Sequence, residues 1–241
     1  MIEKDASDFL FKADIGCSSD LDKIERYMIW ARNRFTSFFP NISIEKVTLE
    51  IYDRPKTINS GGIVNCCTMR SNPPNKKIYL LCPSACQNKT EEYYRKNLLH
   101  EYTHLFTWKR YAPSWFLEGI AEYVAIDQSD NLRIKDQYAY YYNGIKNQIQ
   151  NGLLSFVNNM AYAWAMHLIV FLINFNFQKM QSLLLSNGPT FEDDLYSVYG
   201  FNLTQMMDAF WHWIEVRYSL TVEAALQQNH FLIEIDRHLY I

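Results

Sequence analysis

Apolar and polar residues alternate in two early segments and then give way to a helical spacing. Phe9, Phe11 and Ala13 share one face of the run from Asp8 to Asp14, and Val47, Leu49 and Ile51 share one face of Val47 to Tyr52, so both segments are predicted strands. Between them Leu21, Ile24, Met28, Ala31 and Phe35 recur every three or four residues, which predicts a helix to about Phe38, with cap residues available from Ser18 to Asp22. Asn59-Ser60-Gly61-Gly62 punctuates the chain before Ile63 to Met69, and Asn72-Pro73-Pro74-Asn75 separates that run from Ile78 to Cys82. A hairpin beside the earlier strands is expected there.

From Thr90 onward the pattern is helical. Thr90 is a cap residue and Glu91 and Glu92 complement the first turn's dipole. This helix should stop near Tyr111, because Pro113 blocks its continuation and Ser114 can start another. Further helices are expected over Ser114 to Ile126, Gln137 to Gln150, Tyr162 to Asn174 and Leu203 to Tyr218. The run Met160 to Phe177 is interrupted by His167, Asn174 and Asn176, so it reads as a buried helix rather than an integral membrane span. The expected fold class is α+β in a single domain over 1–241: a small mixed sheet with a crossover helix (1–88), then a mostly helical part (89–241).

Composition narrows the function classes. A net charge of −3 and a pI near 6.1, without a dense Lys/Arg cluster, exclude a phosphate-tracking surface, so no nucleic-acid partner is expected. The 17 Tyr and 15 Phe suit either a core or the lining of a peptide cleft. Five cysteines (Cys17, Cys66, Cys67, Cys82, Cys86) are an odd count that leaves one thiol unpaired within the chain. A hairpin would bring Cys66 or Cys67 beside Cys82 and Cys86, as oxidised or buried structural residues rather than a second metal site. Met1 to Leu10 is polar and does not read as a secretory signal, which suits a cytoplasmic chain or one exported with its signal removed.

The chemistry centres on His100-Glu101-Tyr102-Thr103-His104, followed after a thirteen-residue gap by Glu118. Histidines four apart on a helix share a face, so both imidazoles can meet one zinc ion while Glu101 stays uncoordinated beside it. A catalytic zinc needs a third protein ligand, and Glu118, flanked by Trp115, Phe116, Leu117 and Gly119, is the candidate. Glu101 would be the general base that takes a proton from the activated water and passes it to the leaving amine. Glu122, one turn beyond Glu118, would either accept the second ring N–H of a ligating histidine or form a surface salt bridge.

His100 to His104 followed by Trp115-x-x-Glu118-Gly119-x-Ala121-x-Tyr123 resembles the zinc site of gluzincin metallopeptidases of the peptidase MA type. A similar pair of elements is found in aminopeptidases of the leukotriene hydrolase type and, more loosely, in clostridial collagenases. The likeness extends over Tyr162 to Leu185, Phe191-Glu192-Asp193-Asp194 to Gly200, and Phe210-Trp211-His212-Trp213, which are similar to the closing helices of the MA-like domain. The resemblance implies one Zn²⁺ held by His100, His104 and Glu118, with Glu101 as base. It also implies a Tyr or His from the later helices as oxyanion donor, for which Tyr162, opening the long apolar helix, is the expected residue and His167, facing a different direction, the other candidate. Those aminopeptidases hold the substrate amine with a G-x-M-E-N strand, whereas Gly61-Gly62-Ile63-Val64-Asn65 lacks both Met and Glu. The expected activity is therefore endopeptidase cleavage of a peptide or protein substrate, with Gly62 to Thr68 as an edge strand for strand addition. The alternative is a non-cutting, peptidase-like binding or regulatory module that retains a structural zinc.

Overall fold

Phe9, Phe11 and Ala13 are buried while Leu10 and Lys12 are half-exposed, the one-sided burial that the alternation demands of a strand. In the computed structural model this strand, β2 (Phe9–Ala13), pairs in parallel with β3 (Val47–Tyr52) in the register Phe11 to Leu49. Helix α1 (Leu21–Phe38) is the crossover between them, and its five apolar positions Leu21, Ile24, Met28, Ala31 and Phe35 are all buried. The structure describes residues 1–58, 62–109, 111–125 and 159–217; the helix expected over Gln137 to Gln150, and the last residues of two others, Ile126 and Tyr218, lie outside these.

Besides the strand expected from Ile78 to Cys82, two strands that the sequence pattern did not predict, Ile2–Ala6 and Arg70–Asn72, complete this sheet. β1 (Ile2–Ala6) lies antiparallel to β2, an edge strand whose Glu3 and Lys4 pair with Lys12 and with Glu25. Its charges hid it, because an edge strand is kept soluble by the polarity that masks the alternation. On the other side, β7 (Lys77–Leu81) runs parallel to β3 and antiparallel to β6 (Arg70–Asn72), giving the order β1-β2-β3-β7-β6. The β6–β7 turn crosses Pro73 to Asn75 and closes through Lys76, at φ 49°.

The strand expected over Ile63 to Met69 is mostly something else. Only Ile63–Val64 (β5) is extended, paired with Lys56–Thr57 (β4) in a separate small sheet. Asn65 to Thr68 is a tight turn with reciprocal backbone hydrogen bonds, tightened by Asn65 Oδ1 accepting from the Cys67 N–H at 2.7 Å. The sheet edge on this side is thus β6, not Gly62 to Thr68. Disulfides join Cys66 to Cys86 and Cys17 to Cys82, and Cys67 is the exposed free thiol.

Helix α2 (Glu91–Thr107) starts where Thr90 Oγ1 accepts the Tyr93 N–H at 3.1 Å. It stops four residues before Tyr111. Tyr102 on its inner face meets Phe35 of α1 edge-on, ring centroids 5.7 Å apart. Helix α3 (Ser114–Ala125) follows Pro113 and buries Trp115, Phe116, Ile120 and Ala121. Helix α4 (Asn159–Phe175) passes so close to α3 that a Cβ at Gly119 would sit 2.3 Å from the Ala165 carbonyl oxygen.

The chain divides into two compact units, Met1–Asn131 with Tyr162–Ile169, and Leu132–Ala161 with Val170–Ile241. The first holds the sheet and helices α1 to α3. In the second, Asn176 caps α5 (Phe177–Leu185) and Thr190 caps α6 (Phe191–Tyr199), which ends at Gly200 with φ 83°. Helix α7 (Leu203–Arg217) completes it, with Phe210 against Phe171. The fold class is α+β, a five-stranded mixed sheet followed by a helical C-terminal part, as expected. Among the described residues no single helix is long and apolar enough to cross a membrane; Trp164–Phe175 and Phe177–Leu185 qualify only as a pair, bent by 114°.

Gly119→Ala should destabilise the chain by about 1–3 kcal/mol in urea unfolding, because the new methyl meets a backbone carbonyl that cannot swing aside. Gly62→Ala, whose Cβ would meet nothing nearer than 3.5 Å, should stay within about 0.5 kcal/mol.

Candidate metal centre

Histidines four apart on α2 rise from the same face, and the structure brings the Nε2 atoms of His100 and His104 to 3.0 Å. Glu118, on the first turns of α3, points its Oε2 at both, 3.2 Å from His100 Nε2 and 3.4 Å from His104 Nε2. The three side chains are 13, 12 and 26% exposed, so they are mostly enclosed by protein yet keep some contact with solvent. Their donor atoms all lie within 4.8 Å of one another and could hold a metal ion; among the described residues this is the one such group.

Two short-range features fix this geometry. Trp115, Phe116, Ile120 and Ala121 bury one side of α3, which leaves Glu118 and Glu122, four apart, directed at α2. Gly119 carries no side chain between them, so α4 can close over that helix.

Glu122 Oε1 lies 3.1 Å from His100 Nδ1, and Lys96 Nζ lies 3.8 Å from its other oxygen. His100 is thus engaged at both ring nitrogens by carboxylates. Burial favours its neutral form, but the hydrogen bonds to Glu118 and Glu122 outweigh that and push its pKa up to about 10. Burial likewise opposes ionisation of Glu118 and Glu122, and their contacts with His100, joined by His104 for Glu118 and Lys96 for Glu122, hold both below the usual carboxylate range. The point between the two helices therefore favours positive charge.

Glu101 is half-buried, the next residue after His100, and its charge acts on His100, Tyr93 and Tyr162. Tyr162, near the start of α4, brings its ring to 6.3 Å from that of His100 at 61°. Burial, and then Glu118, Glu122 and Glu101, push its hydroxyl up to about 12, so it stays protonated and able to donate; Arg70 acts in the opposite sense. His167 is buried, 6.5 Å ring to ring from Trp164. All six candidates, His100, Glu101, His104, Glu118, Glu122 and Tyr162, belong to the first compact unit.

Two neighbours had not been singled out from the sequence. Lys96 sits one turn before His100, a spacing that could have flagged it. Arg70 reaches the surroundings of Tyr162 only through the β6–β7 hairpin, and no local pattern announces that. No family model matches the chain, and neither does any curated protein sequence.

Elemental analysis after incubation with zinc and desalting should find about one metal per chain, and near none for His104→Ala or Glu118→Ala. Glu122→Gln should keep the site but weaken zinc binding about 10–100-fold in a competition titration, since a neutral amide replaces the carboxylate at the second nitrogen of His100.

Proposed function

We infer that the chain is a zinc-dependent metallopeptidase of the gluzincin type that cleaves internal peptide bonds. The observation that carries the reading is the triangle of donors, with edges of 3.0, 3.2 and 3.4 Å, beside a carboxylate that takes no part in it. Tetrahedral zinc with bonds of about 2.0–2.1 Å spaces its ligand atoms about 3.3 Å apart, so the set fits with little adjustment. Two imidazoles and one carboxylate also suit zinc better than magnesium or calcium, which take oxygen ligands.

Zinc in this site would lower the pKa of a water molecule toward about 7 and polarise a substrate carbonyl. Glu101 is then the base that removes a proton from the attacking water and returns it to the departing amine. Glu122 holds the proton on Nδ1 of His100, which keeps Nε2 turned toward Glu118. Tyr162, protonated at neutral pH, supplies a donor for the oxyanion that forms as water adds to the carbonyl. The outer edge of β6, unpaired among the described residues and on a strand that lies against α2, offers backbone groups to an extended peptide, a geometry suited to cleavage within a chain.

The test is cleavage of a quenched-fluorescent peptide library by the zinc-loaded chain, with and without chelator. Glu101→Gln should cut kcat/KM by about 10³-fold or more while retaining one zinc. Tyr162→Phe should lose about 10²–10³-fold, chiefly in kcat. Full activity in Glu101→Gln would overturn the mechanism. A chain that binds zinc and cuts no peptide would be a binding module.

A further inference from the structure

Three cations belong to the β6–β7 hairpin: Arg70, Lys76 and Lys77. Lys77 Nζ is 2.7 Å from Glu50, and Lys76 Nζ donates to the Leu105 carbonyl at 2.6 Å and lies over the Phe106 ring. Arg70 differs: among the described residues its side chain makes no ion pair and no hydrogen bond, and it is exposed. It opens β6, the edge strand of the sheet that lies against the helix bearing His100 and His104. Its Nε is 3.5 Å from where a Cβ on Gly62 would stand, so the side chain runs out along the Gly62 backbone.

The charges around it make this cation consequential. Glu118 is one corner of the donor triangle, Glu101 and Glu122 stand close to it, and the nearby Lys96 is drawn to Glu122. A substrate carboxylate entering beside these groups meets repulsion unless a cation receives it. A guanidinium presents a planar fork that matches a carboxylate with two parallel hydrogen bonds.

Building on the peptidase reading above, we propose that Arg70 is a specificity-determining residue that receives a carboxylate side chain of the peptide substrate, so that the enzyme favours Asp or Glu close to the cleaved bond. The peptide lies along β6, and the acidic side chain turns toward the guanidinium.

The test uses peptides that differ only in Glu or Gln, scanned over the three positions on each side of the cleaved bond. In the zinc-loaded chain, kcat/KM for the best Glu peptide should exceed that of its Gln partner by about 10–100-fold, the range of a charge-assisted bidentate contact. The ratio should collapse toward one in Arg70→Ala and invert in Arg70→Glu. Binding of the same labelled peptides to Glu101→Gln, followed by anisotropy, should show the same order. Cleavage with a ratio near one, or a ratio that Arg70→Ala leaves intact, overturns the role of Arg70 and spares the peptidase reading. Preferential binding that requires Arg70, without any cleavage, supports the carboxylate contact and overturns the cutting. Neither cleavage nor binding of any peptide overturns both.

Discussion

His100 is gripped from both sides. Glu118 meets its Nε2 at 3.2 Å and Glu122 its Nδ1 at 3.1 Å, and both carboxylates come from one face of the next helix. A ring held at two nitrogens can neither flip nor slide, so this clamp sets the rotation of α3 against α2 and with it the direction of Glu118. It also gathers negative charge where burial makes that costly. A cation at the centre is the natural counterweight, which is why the same residues that fix the helix pair also read as ligands.

The rest of the first unit supports that clamp. The parallel β2–β3–β7 core backs α1 and α2 with fully buried Phe11, Leu49, Ile51, Ile78 and Leu80, and Tyr102 locks α2 to Phe35 of α1. Lys76 reaches from the hairpin to the Leu105 carbonyl, tying the turn after β6 to the helix turn that carries His104. The Cys66–Cys86 bond holds the Asn65–Thr68 turn to the segment leading into α2. The sheet, the helix pair and the edge strand β6 are thereby joined around the histidines.

The sequence was legible where chemistry and periodicity are local. His100 and His104 share a face by spacing alone, and Glu118 to Glu122 repeats that logic on the next helix. The buried stripe of α1 followed from its 3.6-residue period, and the cap at Thr90 and the break at Pro113 marked helix starts. What escaped was non-local. β1 hid behind the charges that protect an edge, and Asn176 read as an interruption of one helix although it caps the next. The edge at Arg70–Asn72 depends on where the Pro73–Asn75 turn throws the chain, and the hydrogen bonds of the Asn65–Thr68 turn overrode the β-propensity of Ile63 to Met69. The neighbourhood of Arg70 is a product of those two turns, which explains its silence in the sequence.

X-ray absorption at the zinc edge of the loaded chain tests the central claim most directly. The account predicts a first shell of nitrogen and oxygen only, about 2.0–2.1 Å away, with the outer scattering of two imidazoles, and loss of this zinc signal in desalted His104→Ala. A sulfur neighbour at about 2.3 Å, or a shell indifferent to that substitution, would contradict it.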